Sequence, residues 1–150
     1  MVHVLAPQPS HKKLPMFFNV DSSVGQNGQN ANPEDIMLVQ YFLRLIGDHP
    51  SGIAAPSTPI FKRVRPTGTM DQATIDAIKA GQSYAKITPD GRVSKAATYR
   101  YGAHSYTIVD LNFSIRDRAP FKAKWPNVDQ LPNCPPILGA AIRRALSGQG

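Results

Sequence analysis

Cysteine is almost missing from this chain of 150 residues. Cys134 stands alone, which excludes an internal disulfide and a cysteine zinc cluster. Glutamate is as scarce. Glu34 is the only one, so a paired-carboxylate glycosidase would have to be built from aspartates. Of these, only Asp90 and Asp110 form a pair to consider, and both read as turn and helix-surface residues. No apolar run approaches the roughly 18 residues of a membrane span. Residues 1–15 carry His3, His11, Lys12 and Lys13 with no apolar core after the basic pair. A secretory signal peptide is therefore not expected. The remaining histidines are His49 and His104. None of the four has a second His or a carboxylate at helical metal-ligand spacing, and H-E-x-x-H is missing. No metal site, no cofactor and no catalytic residue is expected. Cys134 has only His104 as a candidate activating base, and a nucleophilic thiol needs one.

What is present is basic charge and proline. Lys and Arg number 17 against 10 Asp and Glu, a net charge of +7. Residues 86–150 hold ten of the cations and four of the anions, so +6 of that excess lies there. The basic clusters, Lys62-Arg63 with Arg65, Arg116 with Arg118, and Arg143-Arg144, read as solvated faces. Fourteen prolines and eleven glycines predict much irregular backbone.

Helices are nonetheless legible. Asn32 caps, Pro33 takes the first helical position, and Glu34 and Asp35 suit the positive end of the dipole. Ile36, Val39, Leu43 and Ile46 then mark one apolar face, widened by Met37, Leu38, Phe42 and Leu45, with Gly47 as the expected C-terminal cap. Four prolines between residues 48 and 67 predict no regular helix there, only one turn tucked inward at Ile60, Phe61 and Val64. A second helix is expected from Asp71, with Ile75 and Ile78 inward and Gly81 at its end. Thr88-Pro89-Asp90-Gly91 is a turn. Ile108, Leu111 and Ile115 mark a third helix, and Pro136 opens a last one with Leu138 and Ile142 inward, closed by Gly148. Phe17, Phe18 and Val20 read as a short strand or extended segment, and residues 1–15 as loose.

Three segments together resemble the peptidoglycan-binding-domain-like family, a small three-helix module of bacterial and phage cell-wall proteins. The first is Ser23-Val24-Gly25 followed by Asp35 to Leu43, with Gln40 inside it. The second is Gly68-Thr69-Met70-Asp71-Gln72-Ala73-Thr74 to Ile78, with Gln82 beyond. The third is Asp90-Gly91-Arg92-Val93, continued after an insertion by Thr107 to Asn112. Thr67 stands where the family usually has Asp, and Asp71 where it usually has Gly.

The resemblance implies a mainly α fold: a three-helix bundle over residues 16–115, with an insertion at about 94–105 and long proline-rich loops. A flexible segment, 1–15, precedes it, and a C-terminal helical extension, 116–150, packs on it. Gln40, Gly68, Asp71, Thr74, Asp90, Gly91, Thr107 and Asn112 are its structural motif residues. The implied function is non-catalytic binding of peptidoglycan or a muropeptide, bringing a partner such as a muralytic enzyme or a secretion component to the wall. Tyr84, Arg92, Tyr99 and Tyr101 are the expected ligand contacts, since rings stack on sugar faces and cations meet muramyl-peptide carboxylates. Tyr106 and Trp125 are expected in the core. The alternative is a protein–protein adaptor on the same fold. Nucleic-acid binding rests on charge alone, with no helix-turn-helix or RNA-binding signature beside it. The expected location is the cytoplasm as synthesised, with export only by a non-Sec route in a phage or secretion-system setting.

Overall fold

Asn32 caps the first helix, α1 (Pro33–Asp48), through its side-chain oxygen, which accepts from the Glu34 N–H at 2.9 Å. The computed structural model that shows this describes residues 1–5, 16–50, 58–97 and 106–148. Side chains from every side of α1 are buried, including Ile36, Leu38, Val39, Gln40, Phe42 and Leu43. A helix apolar all round must be surrounded. α1 is packed by α2 (Thr58–Lys62), α3 (Gln72–Tyr84), α4 (Thr107–Arg116) and α6 (Pro136–Leu146). Burying each large apolar side chain of this core stabilises by roughly 1.5–3 kcal/mol.

The protein is mainly helical. Two short antiparallel ribbons complete it among the described residues. β1 (His3–Leu5) pairs with β2 (Phe17–Asn19), with Val4 opposite Phe18. β3 (Val24–Gly25) pairs with β4 (Arg92–Val93). A short helix, α5 (Ala119–Lys122), and a 3-10 turn at Val128–Gln130 lead into α6. The Tyr41 hydroxyl donates to the Pro132 carbonyl at 2.6 Å, and Arg144 of α6 meets Glu34 in the first turn of α1. Phe121, Val128, Leu138 and Ile142 share one continuous core with α1 and α4.

Four expectations are corrected. Gly47 does not end α1, which runs on to Asp48. A Cβ at Gly47 would lie 2.7 Å from the Lys62 nitrogen, so glycine is there to let α2 approach. Gly81 likewise sits inside α3, which continues to Tyr84 and is followed by Lys86 at φ 59°. The loop after α1 does hold a helix, α2. Pro59 is in its first turn, where its missing N–H costs nothing. The start of the chain is not loose over Met1 to Leu5, since Val2 is fully buried and β1 is paired.

Candidate functional site

Two buried glutamines organise the turns that bracket α3. Gln40 accepts from the Gly68 N–H at 2.9 Å. Its amide nitrogen donates to the Thr69 carbonyl at 2.8 Å and to Thr74 Oγ1 at 3.1 Å. Thr74 in turn donates to Asp71 Oδ1 from its hydroxyl at 2.6 Å and from its backbone at 2.8 Å. Asp71 thereby caps α3 and fixes its angle to α1. Gly68 holds φ +82°, a conformation that favours glycine.

The pattern recurs one helix later. Gln82 accepts from the Gly91 N–H at 2.9 Å. It donates to Asp90 Oδ1 and the Arg92 carbonyl, both at 3.0 Å, and to Thr107 Oγ1 at 3.2 Å. Asp90 Oδ1 also accepts from the Arg92 N–H at 2.9 Å, closing the turn. A third amide, Asn112 on α4, accepts from the Phe18 N–H at 2.8 Å and donates to the Phe18 carbonyl at 2.9 Å. It completes β2 like a missing strand neighbour. Gln40, Thr74 and Asn112 are fully buried, and Gln82 nearly so. Their hydrogen bonds go to turns, to β2 and to one another's helices, so their capacity is spent on holding α1, α3, α4 and β2 in register.

An unspent set lies beside them. A cleft of about 210 Å³ opens between α3 and α4, walled by Leu43, Ile46, Phe61, Ile78, Ile87 and Leu111. Gln82 and Thr107 form part of its lining, as do Tyr84, Asp110, Ser114 and Arg118. The Tyr84 hydroxyl is buried with no hydrogen-bond partner. Arg118 is 7% exposed, so its reading as a solvated residue is corrected. Its Nε donates to the His49 carbonyl at 2.8 Å, and its Nη1 donates to the Ser114 hydroxyl at 2.7 Å and to the Ser114 carbonyl. Among the described residues no carboxylate pairs with it. Burial lowers its pKa from the ordinary value, opposed by the charge that Tyr84 would carry if ionised. The Asp110 carboxyl is pushed up to about 6, with burial as the cause.

Of the expected ligand contacts, Tyr84 is on this cleft and Arg92 is not. Arg92 sits half-buried on β4 opposite Gly25. Tyr99 and Tyr101 lie outside the described residues, as does His104. Trp125 packs edge-on to Phe18 at 5.7 Å and donates to the Met16 carbonyl at 3.2 Å, and Tyr106 is also partly buried against the core. Arg118 was missed, yet a signal was there. It continues the inward stripe of Leu111 and Ile115 at helical spacing, just ahead of Pro120.

The remaining candidates for chemistry are quiet. Burial pushes the Cys134 thiol up to about 11, the wrong direction for a nucleophile. Among the described residues no three His, Cys, Asp or Glu side chains are grouped to hold a metal ion. None of the described helices is long and apolar enough to cross a membrane. Set against known proteins, the chain matches no family model, no curated protein and no solved structure.

Proposed function

We propose that this chain is a non-catalytic module that binds bacterial cell-wall peptidoglycan or its muropeptides and brings a partner activity to the wall. The observation that carries this reading is the double Gln cradle. The residues behind the resemblance, Gln40 with Gly68, Asp71 and Thr74, and Gln82 with Asp90, Gly91 and Thr107, meet in two hydrogen-bonded units, each built on a Gln that accepts from a turn glycine and donates to a threonine hydroxyl. The three motif segments therefore act as one framework rather than as scattered likenesses. On that framework the ligand contacts would be aromatic and basic side chains: Tyr84, Arg92, Tyr99 and Tyr101. The family's three-helix core would be α1, α3 and α4, with residues 116–150 added to it.

Purified protein should co-sediment with insoluble peptidoglycan at low salt, and the double variant Tyr99→Ala, Tyr101→Ala should reduce the pelleted fraction. Absence of pelleting, with a protein partner co-purifying instead, would replace this reading by the adaptor.

A further inference from the structure

Two of the residues lining the α3–α4 cleft, Arg118 and Tyr84, each keep a hydrogen-bond donor with no protein acceptor among the described residues. Arg118 uses Nε and Nη1 on the His49 and Ser114 oxygens, which leaves no protein acceptor for Nη2 among the described residues. The Tyr84 hydroxyl is buried and unpartnered. Both residues line the same cleft. A buried hydroxyl without a partner and a buried cation without a counter-ion are each costly in an apolar setting. Both costs are relieved by one anion with two acceptor oxygens. A planar carboxylate suits the guanidinium edge best.

Asp110 lines the same cleft but does not supply that anion. Among the described residues it forms no ion pair with Arg118. Gln82, Thr107 and Ser114 are the other polar lining residues, each already hydrogen-bonded within the protein, and the remaining walls are mostly apolar. At the roughly 30 Å³ that a water occupies in the liquid, 210 Å³ is room for about seven waters, the space of a small acid with a short apolar body.

We propose that this cleft binds a small carboxylate carried on an apolar body, the carboxylate taken by Arg118 Nη2 and the Tyr84 hydroxyl and the body lodged against Leu43, Ile46 and Ile78. The proposal stands on the cleft alone and does not depend on wall binding. Such a group could come from a free short-chain acid or from the C-terminus of a peptide. The two sources are separated by the probes below.

The test is a titration of the full ¹⁵N-labelled chain at pH 7 with hexanoate and N-acetyl-leucine in parallel, and with hexan-1-ol as the neutral control. Saturable shifts centred on Tyr84, Leu111 and Arg118, with a Kd at or below about 1 mM for at least one acid, are expected. Hexanoate binding alone identifies a free acid, N-acetyl-leucine alone identifies a chain terminus, and either supports the proposal. Hexan-1-ol should bind about ten-fold more weakly or worse, because it lacks the charge-assisted bond. Arg118→Met removes the cation but also strands the His49 carbonyl, so it can fail to fold. Tyr84→Phe avoids this. Its hydroxyl bonds to nothing in the free protein, so the melting temperature should hold or rise while acid affinity falls about three- to ten-fold. No saturable shift with either acid overturns the proposal. So does hexan-1-ol binding as tightly as hexanoate, or a folded Tyr84→Phe that binds the acids like the parent.

Discussion

Replacing Gln40 with methionine keeps the length and volume of the side chain and removes its hydrogen bonds. The Gly68 N–H then loses its acceptor inside the protein, where the glycine is buried. Stranding a buried donor costs about 1–3 kcal/mol. The Thr69 carbonyl and Thr74 hydroxyl lose their Gln40 bonds but keep others, to Thr67 Oγ1 and Asp71 Oδ1. Each of those losses is worth about 0.5–1.5 kcal/mol. The gain from a more apolar side chain offsets part of this, so a net loss of about 2–4 kcal/mol is expected for Gln40→Met. Urea unfolding measures it as a lower midpoint at unchanged slope. The control is Gln72→Met, on the exposed face of α3, where the Gln72 amide donates to Asp76; it should stay within about 0.5 kcal/mol. A Gln40→Met loss no larger than that of the control would refute the view that the amide holds the turn against α1.

Two glycines expected to end helices should respond in opposite directions. Gly47→Ala drives a Cβ into the α2 backbone and should destabilise by about 1–3 kcal/mol, whereas Gly81→Ala meets only Phe61 at 3.9 Å and should stabilise by about 0.5–1 kcal/mol, both read by urea unfolding. Asp110 gives a pH signature. Its native pKa of about 6 lies above the ordinary 3.8, so the folded state holds the proton more tightly and stability from this group falls as pH rises from about 4 to about 6. Asp110→Asn should remove that fall, and its stability relative to the parent should climb over that window and level off above it, measured by unfolding at stepped pH. The Cys134 thiol, held at about 11, should react with a disulfide reagent at pH 8 far more slowly in the folded chain than in denaturant.

The helix starts were legible because each is set by neighbours in sequence. Asn32 with Pro33, Asp71 with Thr74, and Pro136 all act within one turn. Gly148, left-handed just past α6, does close its helix, whereas Gly47 does not end α1 because it answers to α2, a contact that no local pattern encodes. β1 was invisible for a similar reason. It is a short segment whose partner lies beyond residues 6–15, and only pairing makes it a strand. Asn112 could be marked as a motif residue, but its bonds reach Phe18 across 94 residues. Arg118 reads as a surface charge because clustered basic residues are usually solvated. The stripe it continues was the only local hint that its stem turns inward.

Wall recognition has to be told apart from simple charge attraction, since a chain of net charge +7 adheres weakly to many anionic surfaces. The direct measurement is co-sedimentation with sacculi stripped of anionic polymers, followed as ionic strength is raised to about 0.3 M, where exposed charges are largely screened. Specific recognition predicts that most of the pelleted protein stays with the sacculi and is released by soluble muropeptides. Complete release by salt alone, or no response to muropeptides, would contradict it.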